Sequence, residues 1–171
     1  MSHDAATARA VDGRHFDLVS HWRIAAPVAP VWAALTTPDD WPAWWPYVRA
    51  VHTLRAGGAD GLGSVRRIEW RTALAYDVVI EVEAIESVRH ERLRARSRGH
   101  LRGEGIWLLR PEGRSTDVTY LWRVELSRPW MRALAPLLAP AFRWNHDRVM
   151  RAGCIGLSRH LGVSPGVATS R

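Results

Sequence analysis

Between Val48 and Ser127 the chain alternates apolar and polar residues in six short runs, at about 48–55, 63–72, 76–87, 91–102, 105–110 and 116–127. A period of two sends successive side chains to opposite faces of a strand, so this stretch is suited to a sheet with one buried face and unsuited to a helix. The separators are turn-forming residues: Gly57-Gly58, Glu86 to His90, Gly103, and Pro111 to Ser115. Links this short leave no room for crossover helices. The strands must therefore form an antiparallel meander.

Alternation also predicts which side chains face the core. Val78, Ile80, Val82 and Ala84 point in while Glu81 and Glu83 point out. In the next run Leu93, Ala95, Ser97, Gly99 and Leu101 point in, leaving Arg92, Arg94, Arg96, Arg98, His100 and Arg102 outside. Val118, Tyr120, Trp122, Val124 and Leu126 point in, as do Arg66, Ile68 and Trp70.

Upstream, Phe16, Leu18, Ser20, Trp22 and Ile24 alternate against polar neighbours and read as a first strand. Pro27 and Pro30 then open a helix through Leu35, because proline's fixed φ suits a first helical turn. A second short helix is expected with Asp39 or Asp40 as its cap. The run Trp41 to Pro46 holds too much proline for a strand or a long helix. From Pro129 to Leu161 the pattern is helical, with Pro136 and Pro140 expected to kink or segment its start and Gly162 placed to end it. Arg143, Asp147, Arg151 and Ser158 mark its polar side. Leu134, Leu138, Ala141, Asn145, Val149, Ala152 and Gly156 mark the opposite face.

These elements specify an α+β fold: a curved seven-stranded antiparallel sheet around a long C-terminal helix, with two short helices after strand one. One domain spans 16–162, between a flexible N-terminus of 15 residues and a flexible tail over 163–171.

All 24 basic residues are arginine and the net charge is +7. Such a charge would suit an anionic partner. The arginines fall mainly on an outward strand face, however, where Glu81 and Glu83 are available to pair and no aromatic residues interleave. This reads as a solvated, charge-paired surface with no nucleic-acid partner, and an all-arginine set is what a GC-rich coding bias produces. Cys154 is the sole cysteine, which rules out an internal disulfide or a multi-cysteine metal site. The eight histidines lack metal-ligand spacing, and neither a phosphate loop nor a nucleophile elbow is present. No metal or cofactor is expected. With no apolar leader region and no run long enough for a membrane span, the expectation is a cytoplasmic protein without stable membrane insertion, a monomer or homodimer.

Several segments carry a likeness: Ala26-Pro-Val-Ala-Pro-Val-Trp32, Asp40-Trp-Pro-Ala-Trp-Trp-Pro46, Gly105-Ile-Trp107, Pro111-Glu-Gly113, Thr116-Asp-Val-Thr-Tyr120 and Arg143-Trp-Asn-His-Asp147. In their order from about Phe16 to Leu161, the chain resembles the START-like polyketide cyclase/dehydrase and lipid-transport (SRPBCC) superfamily. The resemblance implies a helix-grip fold whose sheet and C-terminal helix enclose a cavity for lipids, polyketides or other apolar molecules. In aromatase/cyclase members the matching helix contributes an asparagine to the cavity, a role the resemblance lends to Asn145. Those members also place an arginine there to polarise a carbonyl. The strand where it would be sought presents only Val78, Ile80, Val82 and Ala84, a departure that leaves Arg66 on the neighbouring strand as its substitute.

The chemistry therefore centres on the space between sheet and helix. Trp44, Trp45, Trp70, Trp107, Tyr120 and Trp122 either wall a pocket for a planar ligand or pack a plain core. Ile80, Val82, Leu134, Leu138, Ala141 and Val149 would add apolar contact. Asn145 bonds either a ligand carbonyl or hydroxyl, or else a neighbouring strand's side chain or buried water, since an unpaired buried amide costs about 1–3 kcal/mol. His146 falls at the helix flank. Two functions follow. One is carriage of a hydrophobic, aromatic or polycyclic molecule; the other is polyketide cyclisation or dehydration with Tyr120, Asn145 and Arg66 as donors to an enolising carbonyl.

Overall fold

The computed structural model describes residues 15–72, 77–127 and 129–170, apart from the side chains of 130–132, 134–136 and 138 in the long helix. Strand β1 (His15–Ile24) leads to α1 (Val28–Thr36), a 3₁₀ turn (Pro38–Asp40) and the single-turn helix α2 (Trp41–Trp44). The meander is β2 (Val48–Arg55), β3 (Val65–Trp70), β4 (Val78–Val88), β5 (Arg92–Gly99), β6 (Leu101–Glu112) and β7 (Ser115–Leu126). Helix α3 (Pro129–His160) and strand β8 (Val167–Ser170) complete the chain. The antiparallel sheet and long C-terminal helix expected from the alternation are present, in the helix-grip arrangement that the resemblance implies.

The sheet has eight strands where seven were expected, in the order β2-β3-β4-β5-β6-β7-β1-β8. The extra strand lies within the segment 163–171 that composition marked as a tail. It pairs antiparallel with β1, from Arg23 opposite Val167 to Ser20 opposite Ser170, and so covers that strand's free edge. Residues 1–14 lie outside the described residues.

Strand boundaries differ from expectation at three turns: β4 runs on to Val88, and β6 reaches Glu112 with β7 starting at Ser115, so residues read as separators are paired. The break between β5 and β6 falls at His100, not at Gly103, so Leu101 and Arg102 belong to β6. Gly99 takes φ of +103°, and a Cβ there would sit 2.9 Å from the Val79 carbonyl, so this glycine is the one that turns the chain. Gly103 instead lies within β6, where the Arg123 carbonyl of β7 occupies the place of a side chain. Local sequence marks both glycines as punctuation, but only the cross-strand contacts decide which one turns.

Helix α3 runs without a break through Pro136 and Pro140, so neither segments it. Its end matches expectation: Gly162 has φ of +66°, its N–H donates to the Arg159 carbonyl and that of Val163 to the Ser158 carbonyl. The buried stripe is Phe142, His146, Met150, Cys154 and Leu157, with Asn145 beside it. Ser158 is a correction, since it was placed on the polar side and is fully buried. Its hydroxyl donates to the Cys154 carbonyl one turn back and accepts from the Gly166 N–H, which satisfies it without solvent.

The α1-to-β2 segment closes one end of the grip against α3. Trp45 donates its indole N–H to the Val149 carbonyl at 2.8 Å, and its ring passes over Gly153 where a Cβ would collide. The Trp44 carbonyl fills the corresponding place at Gly156. Each helical glycine costs roughly 1 kcal/mol against alanine, while a buried large side chain is worth about 1.5–3 kcal/mol. Burial of Trp44 and Trp45 outweighs that cost.

On the outer face, Arg92 pairs with Glu86 and Arg94 with Glu104 at 2.6 and 2.8 Å. Glu81 and Glu83 are engaged by Arg67 and Arg55 of the β2–β3 side. Among the described residues, no helix is long and apolar enough to cross a membrane.

Candidate functional site

Sheet and α3 do not pack solidly against each other. A cavity of about 210 Å³ lies between them. That space is several times what a single water fills, so it is no incidental packing gap.

Aromatic rings make most of the wall, among them Trp41, Trp45, Trp70, Trp107, Tyr120 and Trp122. Trp45 meets Trp70 edge-on at 5.1 Å, and Tyr120 stacks on Trp107 at 4.1 Å with 24° between planes. Tyr120 can lie that flat because residue 105 is glycine; a Cβ there would be 2.7 Å from the phenol oxygen. Ile68, Val78, Ile80 and Val82 line the adjoining strands, with Leu93, Phe142, Val149 and Met150 beyond.

Ser97 of β5 adds a buried hydroxyl to the wall, and other polar groups gather on the helix side and around Arg66. On the helix side are Asn145 and His146, both buried, with Tyr120 across from them on β7. Burial lifts the Tyr120 phenol above its ordinary range. Burial likewise lowers His146 to about 4, so at neutral pH both groups are uncharged. The His146 ring stacks on Trp122 at 5.5 Å, and its Nε2 lies 3.1 Å from Ser20 Oγ. At the other place Arg66 lines the cavity while its Nε donates to Asp39 at 3.0 Å and a terminal nitrogen donates to Ser64 at 2.9 Å. Its charge is thus compensated at the rim. Among the described residues no cluster of three His, Cys, Asp or Glu is placed to hold a metal ion.

The sequence model of the family described as polyketide cyclase/dehydrase and lipid transport matches residues 15–154. The chain belongs to that family. Solved structures carry the same fold across most of this chain. A START superfamily protein from Mycobacterium smegmatis is 16% identical with a TM-score of 0.70, covering 86% of this chain and 98% of the other. A Thermus thermophilus protein is 22% identical with a TM-score of 0.65 over 85% and 97%. The Zhui aromatase/cyclase from a Streptomyces species is 15% identical with a TM-score of 0.68 over 86% and 94%. No curated protein matches by sequence.

Within this family member, the cavity brings together Arg66, Trp45, Trp70, Ile80, Val82, Trp107, Tyr120, Trp122, Asn145 and Val149, all singled out by alternation or resemblance. Trp44 is elsewhere: it stacks on the outer side of Trp45 at 5.4 Å and packs against the helix backbone. Trp41 takes the wall position instead. Because 41–44 forms a helical turn, residues 41 and 45 share a face, and a four-residue spacing could have found it. Ala141 is half-buried beside Phe142, which faces the cavity. The side chains of Leu134 and Leu138 lie outside the described residues. His146 is the main correction. It was expected at the flank but is 5% exposed, because the sheet curves far enough for β1 and β7 to cover that side of the helix.

Proposed function

We propose that this protein binds a planar apolar molecule, aromatic or polycyclic, between its sheet and α3. The observation that carries this reading is the cavity wall itself, where five indoles and a phenol surround about 210 Å³. Flat rings offer large contact area at little cost in side-chain freedom and favour stacked or edge-on partners. On the helix side His146 is neutral, as is Tyr120 across from it on β7. That environment penalises a charged ligand.

Titration with a panel of polycyclic aromatics and fatty acids, followed by tryptophan fluorescence, tests it. Saturable quenching by aromatics is the expected result. No saturable response to any class would end the reading.

A second reading, cyclisation or dehydration of a polyketide-like substrate, is favoured by one observation: Tyr120, Asn145 and His146 all border the same space. Neutral donors placed there could stabilise an enolising carbonyl. Against it stand the apolar inward face of β4 and the engagement of Arg66 by Asp39. Conversion of a poly-β-ketone mimic, reduced at least about tenfold in a folded Asn145→Ala variant, would establish it; undetectable conversion would remove it.

A further inference from the structure

We propose that His146 is the polar anchor of this cavity, held by a Ser20–Ser170 hydroxyl pair that lets its free ring nitrogen act as donor or acceptor, so that the ligand carries a hydroxyl or carbonyl oxygen on its planar frame. This rests on the binding reading above and adds to it the chemistry of the ligand's polar end.

The geometry comes from three strands meeting at one level. Ser20 of β1 stands opposite Tyr120 of β7 on one side and Ser170 of β8 on the other. Its hydroxyl, 1% exposed as a residue, lies 3.1 Å from His146 Nε2 and 3.0 Å from Ser170 Oγ. A hydroxyl has one proton, so it donates to one of these neighbours and accepts from the other. If Ser170 donates to Ser20 and Ser20 to Nε2, the imidazole proton resides on Nδ1, which then donates. If Nε2 donates to Ser20 and Ser20 to Ser170, Nδ1 is a bare acceptor. Both arrangements use the donor and an acceptor site of Ser20, and neither requires a charge.

Ser20 is the hydrogen-bond partner of His146 among the described residues. Among the described residues Nδ1 has none, and His146 borders the cavity. Stacking on Trp122 fixes the ring plane. An unpaired ring nitrogen beside a largely apolar wall gains a partner from a ligand oxygen, since an unmade buried hydrogen bond costs about 1–3 kcal/mol. Burial keeps the imidazole neutral at pH 7, as both arrangements need.

The experiment compares naphthalene, 2-naphthol and 2-acetylnaphthalene by isothermal titration calorimetry. The wild-type protein is expected to bind each oxygenated probe about tenfold or more tightly than naphthalene, and His146→Phe, which keeps a ring on Trp122, is expected to bring that ratio near one. Ring nitrogen NMR of the wild-type protein gives a second readout that needs no variant. 2-Acetylnaphthalene should shift His146 toward the Nδ1–H tautomer and 2-naphthol toward the Nε2–H tautomer. Binding without preference for oxygen, or an imidazole unaffected by bound probe, overturns this proposal while leaving the binding reading intact. Failure of all three probes to bind removes both.

Discussion

The indole of Trp45 occupies the space that a side chain at residue 153 would fill, with its N–H bonded to the Val149 carbonyl one turn earlier in α3. Gly153 is therefore a packing residue. Alanine for glycine inside a helix ordinarily stabilises by roughly 1 kcal/mol. Here the sign should reverse, because overpacking a tight contact costs about 1–3 kcal/mol. Gly153→Ala and Gly156→Ala should each lower the urea midpoint, and an increase for either would refute the close approach.

Cys154 is fully buried under the tail, and that environment pushes its thiol up to about 12. At pH 8 it should not react with Ellman's reagent in the native protein and should react fully in denaturant. Rapid native reaction would show that the β8 side opens readily.

His146 makes stability depend on acidity. Its folded value near 4 lies below the ordinary 6.5, so between those values the unfolded chain holds a proton that the folded chain excludes. Stability from this group is complete above about pH 6.5 and is lost as pH falls through 4, by about 3 kcal/mol. Urea unfolding at pH 7, 5.5 and 4 should show a shallower loss for His146→Phe than for wild type. Parallel curves would contradict the burial of a neutral imidazole.

Asp39 ties the 3₁₀ turn to β2 and β3. Partial burial pushes its carboxyl up, but hydrogen bonds from Thr53 and Arg66 and the Arg66 charge outweigh this and hold it below the usual range. Because the pair is exposed, Asp39→Asn should cost under about 1 kcal/mol at pH 7. The contribution is present above the ordinary carboxylate range and fades as pH falls through the lowered value. A loss of several kcal/mol would mean that the turn is held mainly by this contact.

Much of the site was legible in the amino-acid sequence. Alternation alone placed Trp70, Ile80, Val82, Tyr120 and Trp122 on one face, and all five reach the cavity. His146 and Trp41 were missed for different reasons. The flank of a helix is buried or exposed according to how far the sheet wraps it, which no window of sequence records. Trp41 sits on the short helix expected after Asp39 or Asp40, but a single turn between prolines leaves its facing unset by local sequence.

What the sequence determined by itself was periodic and local: which residues share a strand face, where proline opens a helix and where Gly162 ends one. These depend on backbone sterics and on neighbours within a few positions. The tertiary structure decided which glycine turned the β5–β6 hairpin, that the tail became an eighth strand, and that Ser20 met His146 and Ser170 across 126 and 150 positions of chain. Those outcomes rest on contacts between distant segments, where the shape of one surface decides whether a polar group on another is exposed, paired or left facing a cavity.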